Sequence, residues 1–229
     1  RRKDVPTGSF GTTFDDPRSH FNDRRYMAEV RFEPRLSEKW QVLARAHANR
    51  YEFHSVYQFQ DEITGHSENR ERLIGTWFGA EARLVYNPLP WLRITAGGEG
   101  QYHPEASFQG SSATLAGGKS SYLDAQSPYQ FGAGYALIEG SPAKWVKFVA
   151  GARVDVYSTF GPIVVPRAAL IFKPGTGDVL KIMGGRAFRA PSIYEQIYND
   201  GGQSTAPGNQ PNRGIALGPE SIYSGEIEY

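Results

Sequence analysis

The sequence contains no cysteine, which excludes disulfide frameworks, thiolate nucleophiles and cysteine-based metal sites together. It also has no uninterrupted apolar run of the roughly 18 residues that a transmembrane helix needs. Neither sign of charge dominates: 25 basic residues face 24 acidic ones, for a net charge of +1. That balance argues against a nucleic-acid binder, which carries a basic face. No signal peptide is visible, because Arg1-Arg2-Lys3 opens the chain with no apolar stretch behind it. An exported protein with this start is expected to be an internal fragment. What the chain does have is 13% aromatics, 26 glycines and 15 prolines in 229 residues, a β-rich and turn-rich composition. The mean hydropathy of −0.50 leaves a transmembrane barrel open, since only alternate strand residues of a barrel face lipid.

Alternation of apolar and polar residues is the main signal along the chain. Tyr26, Ala28, Val30 and Phe32 share one face, with Met27, Glu29, Arg31 and Glu33 on the other. Trp40, Val42, Ala44, Ala46 and Ala48 repeat the pattern, until Tyr51 and Phe53 appear on the polar side. A bulge, or the end of the buried span, accounts for that break. Further strands are predicted near 74–86, 92–102, 129–139, 146–156, 166–173, 179–187 and 219–229, about nine in all. Residues 54–70 and 103–127 read as long polar loops, and 4–18 and 196–217 likewise.

Two features go beyond an all-β assignment. The strands run to about ten residues or more, whereas soluble strands usually have five or six; a tilted strand needs about 9–11 to cross hydrocarbon. Short turns at 34–39, 87–90, 140–144 and 174–178 alternate mostly with long connections, the asymmetry of an outer-membrane barrel. Phe32, Trp40, Tyr86 and Phe172 lie on the apolar parity near the short turns, as an aromatic girdle would; Trp91 and Trp145 fall on the other parity, at the turns. Charges such as Glu29, Arg45, Glu81, Arg83, Glu99, Arg153 and Asp155 collect on the opposite face, where a wet lumen or a polar plug would accept them. A soluble β-sandwich also alternates, with its apolar face turned inward. The two readings differ in whether Val30, Phe78, Ile94 and Phe148 meet in a dry interior or face outward.

Chemistry is poorly represented. Ala113 to Ser120 ends like a phosphate loop but lacks the first glycine and the strand-loop-helix setting. The glycines at 97, 98 and 100 suit close packing in a barrel wall better than a dinucleotide fingerprint. The five histidines show no metal-ligand spacing, and there is no Gly-x-Ser-x-Gly elbow. No catalytic residue, metal ligand or cofactor is therefore expected, and a barrel hydrolase has no residue to select it. In the last third, Arg186 and Arg189 flank Phe188 where strand gives way to loop, Pro191 ends the extended chain, and Ser192 is placed to cap a short helical turn at 193–197 containing Glu195.

The run Gly185-Arg186-Ala187-Phe188-Arg189-Ala190-Pro191-Ser192, with Tyr157-Ser158-Thr159-Phe160-Gly161 and Pro166 to Leu170 before it, resembles the barrel of TonB-dependent outer-membrane receptors. Val5 to Gly11 resembles an external loop of that group, and Leu217-Gly218-Pro219-Glu220 its Lys-Pro-Glu strand start, with Gly218 where Lys is usual. The resemblance implies an all-β, antiparallel up-and-down transmembrane barrel, here in part: residues 1–229 as a section of a 22-stranded barrel, without its plug. It implies residence in the outer membrane of a Gram-negative bacterium, contact with membrane lipid, and energy from the TonB complex through an N-terminal segment not in this chain. It further implies active uptake of a scarce ligand, a ferric siderophore or similar metal chelate or cobalamin. Aromatics of the outer loops, Phe10, Phe14, Tyr57, Phe59, Phe108, Tyr122 and Tyr198, are then the candidate ligand contacts, and Arg186, Phe188, Arg189, Pro191 and Glu195 a structural motif. A passive porin-like channel and a soluble sandwich module are the alternatives.

Overall fold

In a computed structural model, residues 2–5, 11–61, 65–114, 117–175, 177–199 and 217–229 are described. Eleven strands form one antiparallel sheet: β1 (Arg2–Asp4), β2 (His20–Phe32), β3 (Trp40–Asp61), β4 (Gly65–Leu89), β5 (Leu92–Thr114), β6 (Lys119–Gln126), β7 (Tyr129–Ala143), β8 (Val146–Tyr157), β9 (Gly161–Phe172), β10 (Leu180–Arg189) and β11 (Glu220–Glu228). Each wall strand pairs with its neighbours in sequence, in the order β1-β2-β3-β4-β5-β7-β8-β9-β10-β11, with β6 attached to β5 alone. A helical turn, α1 (Ile193–Ile197), follows β10. This is an up-and-down meander, unclosed over the described residues.

All nine predicted strands are present; the two additions, β1 and β6, are short and lie outside the alternating segments. The larger correction concerns loops. Residues 54–70 and 103–127 are mostly strand, because β3, β4 and β5 reach 22, 25 and 23 residues. Their polar sequence concealed strands that bury polar side chains such as Ser55, Gln58 and Asn69. At the same end, β8 and β9 are joined by only Ser158, Thr159 and Phe160. The expected length asymmetry therefore comes from hairpins projecting beyond the wall as much as from irregular loops. The end of the phosphate-loop-like segment is a turn between β5 and β6, with Gly117 at φ +86°.

The apolar parity faces outward. Val30 is 75% exposed and Phe78 50%, and Phe32, Val154, Val156, Leu170 and Ile182 are exposed with them. Ile94 and Phe148 are only partly covered, so the four marker residues form no dry interior, and no second sheet packs on them among the described residues. This arrangement would be unstable in water and is stable in hydrocarbon. Trp40 stacks on Tyr86 at 4.0 Å, and Trp145 meets Phe172 edge-on at 5.5 Å, at the short-turn end. Tyr26 on β2, and the paired Phe78 and Tyr102 on β4 and β5, mark the other border of the apolar band.

Beyond that border the same face turns ionic. Arg50 bonds Glu52 and Glu105, each at 2.8 Å, and Thr76 at 2.9 Å. The pairing of β3 with β2 and β4 runs unbroken through Arg50, so the altered pattern there is the end of the lipid-facing span and not a bulge. The bulge lies in β5 instead, where the partners of Thr76 and Phe78 jump from Glu105 to Tyr102. The extra residue reverses the facing of β5 above it and turns Ala106 and Phe108 inward.

Candidate functional site

The lumenal side of the wall carries paired charges at the level of the apolar band. Arg45 lies 2.7 Å from Glu81, and the Tyr135 hydroxyl donates to Glu81 at 2.9 Å. Arg153 bridges Glu99 at 2.5 Å and Asp155 at 2.7 Å, and Asp155 is 2% exposed. Mutual pairing is what lets these charges sit away from bulk water. Tyr135 reaches Glu81 by crossing Gly97: a Cβ there would meet the Tyr135 hydroxyl at 2.5 Å and the Ala82 carbonyl at 2.8 Å. Gly97→Val should therefore expel the tyrosine and destabilise the protein by roughly 1–3 kcal/mol, as overpacking does. A thermal-melting series comparing it with Gly134→Val, where a Cβ meets nothing within 4 Å, checks this; equal melting would refute the close approach.

Above this ionic layer the lumen becomes aromatic. Trp77, His103 and Tyr129 come from three neighbouring strands and stack in sequence, with centroids 5.7 Å and 4.0 Å apart. Phe131, Tyr157 and Phe160 form a second stack at 4.8 Å and 4.5 Å. Cross-strand pairing places them: Tyr129 opposes His103 and Phe131 opposes Tyr157. These rings wall a cavity of about 570 Å³, within the range of small-molecule sites. Its opposite side is the chain after β10, from Ala190 to Gln196.

That segment is held inward by α1 and its flanks. Ser192 Oγ accepts from the Glu195 backbone N–H at 3.2 Å, and the Glu195 carboxylate accepts from the Ser192 backbone N–H at 2.8 Å, a complete capping box. Glu195 also pairs with Arg189, whose other partner is Glu220 at 3.4 Å. Arg189 and the Ser192 N–H together hold the Glu195 carboxyl down to about 2, from an ordinary 4.5. A lowered folded value means that the box contributes fully above about 4.5 and is lost as pH falls toward about 2. Amide-exchange protection of residues 193–198, corrected for intrinsic rates, should therefore fall within that window in the wild type. In Glu195→Gln it should be weaker and flat with pH; an unchanged pH response in that variant would remove Glu195 as the cause. Ser192→Ala should lower local stability by about 1 kcal/mol.

Tyr198 follows α1 and is buried with Ala106, Phe108 and Leu123, its hydroxyl donating to Glu71. Burial, and then the Glu71 carboxylate, push its ionisation upward. Tyr122 donates to the same carboxylate at 3.1 Å. Phe108 and Tyr122 from one hairpin and Tyr198 from a distant stretch thus gather in one cluster beside the cavity, and Phe108 lines it. Tyr57 and Phe59 are partly buried along β3, away from the cavity lining; Phe14 is 76% exposed; Phe10 lies outside the described residues. Arg186 donates to Ser221 at 2.8 Å and to the Val164 carbonyl at 3.2 Å, tying β9 to β11 across β10. Phe188 meets Tyr157 edge-on at 6.2 Å, and Pro191 lines the cavity and accepts from Gln196 at 3.1 Å.

Sequence reasoning missed Trp77, His103, Tyr129, Phe131 and Tyr157, because it looked for contacts in loops. A signal was present: each lies on the parity opposite the lipid face. Among the described residues no group of histidine and acidic side chains has the arrangement of a metal site.

The sequence matches the family described as TonB dependent receptor-like, beta-barrel, over residues 2–227. No curated protein matches it. Among solved structures, it is similar to BauA, the ferric preacinetobactin receptor from Acinetobacter baumannii, with a TM-score of 0.55 and 12% identity over 95% of this chain and 36% of that one. It is similar to the copper transporter OprC, with a TM-score of 0.53 and 9% identity over 91% and 42%, and to the RagAB peptide transporter, with a TM-score of 0.51 and 16% identity over 75% and 23%. The chain spans less than half the length of each of these structures. At such identities the likeness concerns the fold, while the family match extends over nearly the whole sequence: this chain belongs to the TonB-dependent receptor-like β-barrel family.

Proposed function

We propose that the chain is a section of the barrel of an outer-membrane receptor that takes up a scarce ligand, a ferric siderophore or similar chelate or cobalamin, with energy supplied through TonB. The observation carrying this reading is the aromatic cavity inside the wall, above a lumen of paired charges and behind an outward face suited to lipid. Uptake is the role this arrangement supports: the cavity presents ring faces and amides to a bound molecule. The candidate ligand contacts are Phe108 with the stacked rings around it, and Tyr122 and Tyr198 support the inward segment. Arg186, Arg189 and Glu195 fix the chain that forms the cavity's far side. TonB contact belongs to a segment preceding the barrel, and lipid contact to the band from Trp40 to Ala48 and its neighbours.

A porin reading predicts passive flux. The discriminating experiment measures uptake by cells carrying the full-length receptor, with and without TonB. Accumulation that disappears without TonB supports active uptake; accumulation indifferent to TonB, proportional to external concentration, refutes it.

A further inference from the structure

The cavity also carries information about the charge of what it holds. Resting on the uptake reading above, we infer that the ligand presents a ring system of low net charge to this half of the lumen, in contrast to a polyanionic chelate. The site is made of ring faces: Trp77, His103 and Tyr129 in one stack, Phe131, Tyr157 and Phe160 in the other. Flat apolar faces reward a ligand with a face of its own, by offset or edge-on packing.

No lysine or arginine is among the residues lining the cavity over the described chain. The one acidic lining residue, Glu105, is committed to the other side of the wall, where it accepts from Arg50 at 2.8 Å and from Thr76 at 2.7 Å. Arg25 holds its guanidinium over the Trp77 ring at 5.9 Å. Lower in the wall, Arg45 is paired with Glu81, and Arg153 with Glu99 and Asp155. A triply charged anion entering this cavity would lose hydration and find no lysine or arginine among the described lining residues to supply the bidentate pairing that suits anionic oxygens. A neutral ring ligand loses little hydration and gains the ring faces. Among the polar lining groups, Gln101 and Thr159 suit hydrogen bonds to carbonyls or amides at its edge.

Titration calorimetry of the purified full-length receptor tests this with three water-soluble probes: cyanocobalamin, which is neutral and ring-bearing; a neutral ferric trihydroxamate; and a ferric tricatecholate trianion. The expected result is a neutral probe bound at least ten-fold more tightly than the trianion, with Tyr157→Ala and Tyr129→Ala each weakening it about ten-fold. The trianion binding as tightly or more tightly, no neutral probe binding, or neutral binding indifferent to both substitutions would each overturn the inference. The uptake reading is judged separately, by the TonB dependence of accumulation in cells. A receptor that takes up a polyanion under TonB control would keep that reading and lose this one.

Discussion

Asp155→Ala is expected to destabilise the full-length receptor by about 3 kcal/mol, the low end of the cost of removing one partner from a buried ion pair. The reason is the asymmetry of what remains. Asp155 is 2% exposed and accepts from the Arg153 guanidinium, which also reaches Glu99. Alanine leaves a cation in the wall with half of its compensation. Arg153 itself is 32% exposed on its side chain, so water offsets part of the loss, which places the expected value at the low end. Thermal melting in detergent should show a clear drop, and the double variant Asp155→Ala with Arg153→Met should recover part of it, since the stranded charge goes too. A single variant that melts like the wild type would show that the pair contributes nothing to the wall.

Ala150→Arg should impair membrane assembly, because it places a charge in the middle of the outward band. Ala150 lies between Ile138 and Ala168 on neighbouring strands, all on the apolar parity. A cationic side chain facing lipid near the midplane costs roughly 2–4 kcal/mol. Gln101→Arg, one parity away on β5, points into the lumen beside the cavity and should assemble normally. The heat-modifiable band of the folded receptor on gels reports assembly directly. Equal yields of the two variants would contradict the facing of the sheet.

The alternation that located the nine wall strands was legible because lipid on one side and a wet lumen on the other impose opposite demands on neighbouring residues. Val146 to Val156 against Lys147, Arg153 and Asp155 shows the contrast at its clearest. That contrast ends where the membrane ends. From Arg50 and Thr76 onward the outward face of β3 and β4 carries charge as well, with Arg50 bonded to Glu52 and Glu105, so the period fades and strand sequence reads as loop. The bulge between Tyr102 and Glu105 was only half legible: Pro104 marks an interruption there, but a proline does not say that one inserted residue reverses the facing beyond it. The capping box was legible, since Ser192 and Glu195 are three residues apart and need no partner from elsewhere. The cluster of Phe108, Tyr122 and Tyr198 around Glu71 was not.

By itself, then, the sequence determined the strand wall, its inside and its outside, because facing depends only on the period of the residues along one strand. The tertiary structure alone decided the cavity. Trp77, His103 and Tyr129 are far apart in the chain and become one stack only through the register of three strands, and α1 becomes its opposite wall only when Tyr198 docks on residues more than a strand away. Register and docking are set by cross-strand contacts between distant residues, which no local pattern encodes.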